Sequence, residues 1–556
     1  MDDETLVNWS KKRLRQLHIK KESLEQAAVR CITTNIQFYF KQLNNKEKIQ
    51  DLPGVLRDKI LQDLLRRRYL DDKTTFFKDE AFPVLLSPRT CSVKLTNVFS
   101  SYLGPDQFVP KEKVAKVLFE NILASITSLA PKTRHLTLKN KYFLHSTTIA
   151  ESLEGKCIGS LIKLQHLQRL HVELYFLKVS EVLKLCQNIA SLKFLNVRLA
   201  KTEKKDFPSV DDIRSCLANV KEFIFQSKDV YTSHDWLRVL CTRTLPKIEV
   251  INFYCDEKAM KTYYQNQNSS SPLKLEFSGA SNLRHLCIDL GCPEFEIDSY
   301  PDVFPMVNHL TIKGEGPYTS DERALMDSIS KFKEIKSLNL INAEDLPQDF
   351  LNKIWTTYGP NLRTLIILSP SWQTYKMDVN LIFQSCPKLE RLSLYNIKIT
   401  VDNSRPIEVI KELKYLHLSW WIPFFCSEML LTKIIAAAPK LEKIVIDGAE
   451  PFCMDDVKAM TSLIRNGKVS THLHKLVIRL GYHITPIHDE FLEEMTLLLN
   501  SAFEFLPNLT YFDYVVSQKS PSRVARRKLF RYKYPYVIRD DSLNNMKNDA
   551  CDIFEK

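Results

Sequence analysis

Between Leu167 and Phe512 one short phrase, apolar-x-x-apolar-x-apolar, returns at intervals of about 27 residues. It reads Leu167, Leu170, Val172; then Leu192, Leu195, Val197; Val220, Phe223, Phe225; and Ile248, Ile251, Phe253. Further copies open at Leu283, Val307, Ile335, Leu362, Leu389, Leu413, Leu441, Leu473 and Leu509, and a degenerate one at Thr133 carries Leu136 and Leu138. A unit this short cannot bury its own apolar side, so neighbours must stack and share one continuous core.

Period-two alternation over five or six residues makes each phrase a short strand with its apolar side chains on one face. Helical spacing fills the intervals. From Val179 to Ile189 the residues Val182, Leu185, Cys186 and Ile189 recur at three and four; from Ser320 to Phe332, Leu325, Ile329 and Phe332 do the same. Proline stands two residues before the first apolar position at Pro246, Pro360, Pro387, Pro439 and Pro507, where it ends a helix and prepares a strand. The expected fold is therefore an α/β solenoid, with parallel strands on the concave face and helices on the convex face. These phrases resemble the leucine-rich repeat superfamily, especially its longer repeats with a full helix. The asparagine that superfamily places three residues after the third apolar position is mostly missing: the repeat at Leu389 has Ile397 there and Asn396 one place early.

Composition narrows the function classes. A chain of 556 residues exceeds the ~250–300 residues of a single core, but a solenoid grows along one axis and escapes that limit. Twelve glycines leave little room for phosphate-cradling loops. The net charge of +12 is concentrated at two places. Residues 11 to 21 carry six basic groups and no acid, and residues 519 to 539 carry eight; without those 14, 64 basic residues face 66 acidic ones. A near-neutral array argues against a groove that tracks nucleic-acid phosphates. The basic tail interleaves Phe530, Tyr532, Tyr534 and Tyr536, which suits a nuclear address, a nucleic-acid contact or a capping extension equally.

Thirteen cysteines occur without a Cys-x-x-Cys pair, and Cys186, Cys287 and Cys386 sit inside helical or strand phrases, so they read as small buried apolar groups in a reducing compartment. The opening Met1-Asp2-Asp3-Glu4 is no signal peptide, and no apolar run reaches the roughly 20 residues of a membrane span. Cytosol or nucleus is the expectation, with no membrane contact. No Gly-x-Ser-x-Gly, His-Glu-x-x-His or Gly-Lys-Ser/Thr motif occurs, and His483 and His488 lie in a proline-containing loop that reads as solvated; neither catalysis, a metal nor a cofactor is expected.

The first seventy residues follow a different logic. Ser23-Leu24-Glu25-Gln26 has the form of a capping box opening a helix, in which Leu24, Ala28, Ile32 and Ile36 make one stripe. A second helix runs on from Leu52-Pro53-Gly54 through Leu56 and Ile60, with Pro53 near the first turn. Two such helices could simply cap the open end of the array. Their residues also resemble a VHL box: Ser23, Leu24, Ala28 and Ile32 are similar to a BC box, which binds elongin C, with Ala28 where that box has cysteine, and Leu52, Pro53, Leu56 and Ile60 fit the cullin-2 box. Such a module ahead of leucine-rich repeats is similar to the Zyg/Zer group of ubiquitin ligase receptors. An F-box, which would bind Skp and cullin-1, opens with a similar Leu-Pro rhythm and is the competing resemblance. The expected organisation is a helical adaptor-binding module over 1–80, a solenoid over 81–517 and a basic tail over 518–556. The resemblance implies a non-catalytic substrate receptor that binds elongin C, elongin B and cullin-2 and presents a protein substrate; a plain repeat scaffold is the alternative.

Side chains between the apolar strand positions are expected to line the concavity. Arg391, Tyr395, Tyr415, His417, Trp420 and Trp421 bring the anchors that interfaces favour onto adjacent repeats and form the candidate substrate patch.

Overall fold

The computed structural model describes residues 23–41, 46–66, 80–96, 111–139, 155–200, 208–227, 237, 241–242, 244–245, 247–251, 281–289, 300–314, 327–369, 375–400, 409–420, 430–448, 454–480, 489–509 and 511–516. The chain divides into two compact units, Met1–Ser281 and Asn282–Lys556.

In the first unit six parallel strands pair in chain order: β1 (Ser92–Thr96), β2 (His135–Lys139), β3 (Arg169–Leu177), β4 (Phe194–Leu199), β5 (Glu222–Ser227) and β6 (Val250–Ile251). In the second unit nine parallel strands do so: β7 (His285–Asp289), β8 (His309–Lys313), β9 (Ser337–Ile341), β10 (Thr364–Leu368), β12 (Arg391–Tyr395), β14 (Tyr415–Trp420), β15 (Lys443–Gly448), β16 (Lys475–Leu480) and β17 (Tyr511–Val516). A separate two-stranded parallel sheet joins β11 (Tyr375–Asp378) to β13 (Ile397–Thr400). Helices such as Val179–Asn188, Gln348–Tyr358 and Met454–Arg465 stand between consecutive strands. This is the α/β leucine-rich repeat solenoid that the periodicity predicts.

Strand register follows from the repeated phrase. Leu338, Leu365, Leu392, Leu416, Ile444 and Leu476 stand in one row, and Leu340, Ile367, Leu394, Leu418, Ile446 and Ile478 in the next, every one at most 1% exposed. Slipping any strand by one residue would turn both rows outward, and each buried aliphatic contributes roughly 1.5–3 kcal/mol, so the apolar rows lock the alignment.

One strand was not legible as a repeat. In β1 Val93 and Leu95 occupy the second and third apolar positions, but the first is Thr90, just as Thr133 stands first in the copy that forms β2. Both threonines are wholly buried, and the Thr133 hydroxyl donates to the Ala130 carbonyl at 2.7 Å and to the Thr90 carbonyl at 3.4 Å. The first two turns thus replace a leucine with a hydroxyl that bonds the backbone. β11 and β13 were also unforeseen, and Phe253 and residues 320–326 of the expected Ser320–Phe332 helix lie outside the described residues.

Asparagine keeps a structural role one position earlier than the superfamily's usual place. Asn342 and Asn396 each follow a strand by one residue and hold positive φ, 53° and 56°, a left-handed geometry that asparagine tolerates better than most side chains. Asn342 donates its amide to the Gly314 carbonyl at 2.9 Å, and the backbone N–H of Asn396 donates to the Ser419 carbonyl at 2.7 Å. Each turn is therefore fastened to an adjacent repeat.

Ahead of β1 stand α1 (Leu24–Thr34), α2 (Ile36–Lys41), α3 (Lys46–Gln50), α4 (Gly54–Arg66) and the short α5 (Phe82–Leu85). α4 buries Ile60, Leu61, Leu64 and Leu65, and it is tied to the array by hydrogen bonds from Gln62 to the Ser92 carbonyl at 2.8 Å and from Arg57 to the Val84 and Leu86 carbonyls at 3.2 Å. A side chain on Gly54 would meet the Ser87 hydroxyl at 3.2 Å, so the first turn of α4 packs closely against side chains of the segment leading into β1.

Candidate functional site

α1 begins as its sequence requires. The backbone N–H of Gln26 donates to the Ser23 hydroxyl at 3.1 Å, and the backbone N–H of Ser23 donates to the Gln26 side chain at 3.0 Å, closing the capping box. The first helical residue, Leu24, is 88% exposed. Ala28 is also exposed, and Ile32 is half-buried. α1 lies against α4 through the Thr33 hydroxyl, which donates to Asp63 at 2.6 Å, and a Lys59–Glu25 pair at 2.5 Å. These contacts hold α1 by its inner side and leave the Leu24 side outward.

The outward stripe is longer than the motif. Asn35 separates α1 from α2, yet its N–H still donates to the Cys31 carbonyl at 3.1 Å, and the Tyr39 N–H donates to the Asn35 carbonyl at 3.1 Å. Leu24, Ala28, Cys31, Asn35 and Phe38, spaced four, three, four and three, therefore share one exposed side, with Phe38 51% exposed. Sequence reading missed Cys31 and Phe38 because it followed the stripe through Ile32 and Ile36, and Ile36 is buried. A hydrogen bond between the Cys31 thiol and the Tyr39 hydroxyl, 3.8 Å apart, raises the tyrosine pKa. Cys31 and Cys91 are exposed, unlike the buried Cys157, Cys186, Cys241 and Cys386. Burial pushes the Cys186 and Cys386 thiols up to about 12, the opposite of an activated nucleophile.

The residues matched to the cullin-2 box divide. Pro53 is exposed, Leu52 and Leu56 are half-buried, and Ile60 is 1% exposed. Ile60 therefore belongs to the interior of the module and does not face a partner as expected; Val55, 53% exposed, presents the outward apolar side chain of this helix. The Pro53 carbonyl accepts from Leu56 at 2.8 Å and Arg57 at 3.1 Å, so it starts the helix.

The candidate substrate patch is placed differently from the expectation. Tyr395 is wholly buried, His417 is 2% exposed and Tyr415 is buried with them; among the described side chains of the patch only Arg391 retains partial exposure. The His417 Nδ1 lies 3.0 Å from the Tyr395 hydroxyl and 3.4 Å from the Tyr415 hydroxyl, and both tyrosine rings stand edge-on to the imidazole. Ile366 and Leu368 pack with Tyr395, while Val445 and Val477 pack with Tyr415. Hydrogen bonding of the two hydroxyls to the imidazole Nδ1 inside an apolar surround lowers the cost of burying these polar groups. Trp420 closes β14 with its side chain outside the described residues, and Trp421, Asn252, Tyr254, His483, His488 and both basic stretches lie wholly outside them. His171 and His285, which also stand between apolar strand positions, are buried too.

Among the described residues no group of three or more His, Cys, Asp or Glu side chains is placed to hold a metal ion, and no helix is long and apolar enough to cross a membrane. No family model matches the chain. No curated protein matches it. Solved structures that it is similar to include the TLR13–ssRNA13 complex (13% identity, 73% of this chain and 61% of that chain, TM-score 0.33). Others are the Rad7 and Elc1 complex in yeast (12%, 90% and 96%, 0.32) and the mouse RP105/MD-1 complex (13%, 75% and 75%, 0.32). The chain spans about three fifths of the TLR13 complex chain that it matches. Likeness at these scores carries no argument about what the chain binds.

Proposed function

We propose that this chain is a non-catalytic substrate receptor of a cullin-RING ubiquitin ligase, docked to elongin C, elongin B and cullin-2 through α1 and α4 and binding a protein client through its repeats. The observation that carries the reading is Leu24: a leucine at the start of a capped helix, 88% exposed, on a stripe with Ala28, Cys31 and Phe38. Burying a leucine side chain in a partner contributes roughly 1.5–3 kcal/mol, and anchors at three- and four-residue spacing are what a helix offers to a groove. Ala28 in place of the BC-box cysteine keeps the contact small and apolar. Pro53, Val55 and the accessible part of Leu56 supply the adjoining surface for the cullin. Ubiquitin transfer would be performed by the partner ligase.

Affinity purification of the tagged chain from cells tests this. Elongin B, elongin C and cullin-2 should co-purify with the intact chain and be lost with Leu24→Asp. Recovery of Skp and cullin-1 instead would establish the F-box reading, and recovery of neither set would leave a repeat scaffold whose helices only cap the array.

A further inference from the structure

In the first unit the chain entering β2 to β6 carries Lys132, Arg134, Arg169, Lys193, Lys221 and Lys247, against Glu222 and Glu249. The two carboxylates stand at one end of this rim, and Glu249 pairs with Lys221 at 2.6 Å. The other end is cationic. The backbone N–H groups of Gln168 and Arg169 donate to the Arg134 carbonyl at 2.8 and 2.9 Å, and those of Lys193 and Phe194 donate to the Gln168 carbonyl at 2.9 and 3.0 Å. Arg134, Gln168 and Lys193 therefore stand side by side, with Arg169 next to them. Lys132, Arg134 and Lys193 are exposed, and none of the three forms an ion pair among the described residues. Arg169 lies at the centre. Its guanidinium stacks 4.4 Å from the centroid of the Phe194 ring, the Glu222 carboxylate is 4.0 Å from it, beyond hydrogen-bond reach, and its side chain remains 41% exposed. Stacking fixes the plane of the donor fork before any partner arrives, which lowers the entropy lost on binding. His135, in register with Arg169, senses the same charges: burial, then the cations Arg169 and Arg134, lower its pKa.

Carboxylates and phosphates are both attracted to such a cluster, and its size and shape favour carboxylates. From Arg134 to Lys193 is two strand spacings, about 10 Å, too short a run to track a nucleic-acid backbone over many phosphates. Acidic side chains on alternate residues of an extended peptide are about 7 Å apart and fit within it. Phe194 carries the guanidinium where a base would have to stack. We propose that Arg169, flanked by Arg134 and Lys193, anchors an acidic segment of a protein partner, its fork taking one carboxylate through two hydrogen bonds and the flanking cations taking a second. Resting on the receptor reading above, this names the client class: proteins that expose an extended stretch with acids at alternate positions.

A fluorescein-labelled peptide of alternating Glu and Ser, about ten residues long, titrated with the full chain and followed by fluorescence anisotropy, tests the site. No ligase subunit is present, so failure of this binding and failure of elongin binding are separate results. The intact chain should bind the peptide, more weakly as salt is raised. Arg169→Ala and Arg169→Lys should each weaken it at least ~five-fold, the second because an ammonium keeps the charge and loses the fork. Arg134→Glu/Lys193→Glu, which breaks no ion pair of the described residues, should weaken it at least ~ten-fold with the melting temperature unaltered. An oligothymidylate of matched length should bind the parent and these variants alike. Peptide affinity unmoved by Arg134→Glu/Lys193→Glu, the result expected if residues 11–21 or 519–539 hold the peptide instead, would overturn the proposal. So would an oligothymidylate that binds the parent more tightly than the peptide does and is lost with the same substitutions.

Discussion

The Tyr395 hydroxyl and the His417 Nδ1 meet at 3.0 Å across neighbouring strands, both buried, and the pair joins two apolar clusters of the nine-stranded sheet. Removing the hydroxyl leaves the imidazole without that bond in a dry surround, which costs about 1–3 kcal/mol. Tyr395→Phe should lower the unfolding free energy by that amount in urea titration, and His417→Ala by more, because it also leaves a void. An unchanged denaturation midpoint for both would show that the cluster is open to water.

Asn396 holds its left-handed turn at φ 56°. Glycine adopts this geometry freely, whereas a β-branched side chain is strained there by about 1–3 kcal/mol. Asn396→Gly should therefore melt within a degree or two of the parent, and Asn396→Val several degrees lower, in a thermal scan by circular dichroism.

Burial, aided by the nearby charges of Arg284 and Lys336, lowers the His309 pKa to about 4. The unfolded chain takes up its proton near pH 6.5 and the folded chain only near 4. Stability from this group is complete above pH 6.5 and is lost as pH falls from there towards 4, by at most about 3 kcal/mol and less for the part that water screens. His309→Gln should remove this fall: its unfolding free energy, relative to the parent, should improve between pH 6.5 and 4. Parallel profiles for the two proteins would contradict the assignment.

Phe38 extends the docking stripe beyond the four BC-box positions and is 51% exposed. Phe38→Ala should weaken adaptor binding by roughly ten-fold, equivalent to about 1.4 kcal/mol, while leaving thermal stability unchanged. Binding measured by surface plasmon resonance together with a melting curve separates the two effects.

Most of the array is written in the sequence because its apolar rows obey a two-residue period that survives changes of letter: Leu392 and Leu394, Phe223 and Phe225, Ile444 and Ile446 all read alike. β1 escaped because Thr90 hides its first position, and a buried threonine looks polar until its backbone partner is known. Capping by Ser23 was legible since both of its hydrogen bonds are local. Burial of Tyr395, His417 and Ile60 was not legible. Alternation separates the two faces of a strand or helix, but whether a second layer covers the outer one depends on contacts far apart in the chain, and no local spacing encodes them.

The reading of Leu24 as a partner's anchor is tested most directly by isothermal titration of the purified chain with the purified elongin B–elongin C heterodimer. The intact chain should bind with one-to-one stoichiometry and a dissociation constant in the micromolar range or tighter, and Leu24→Asp should weaken it at least ~30-fold without altering the melting temperature. Absence of binding by the intact chain, or equal binding by Leu24→Asp, would contradict it.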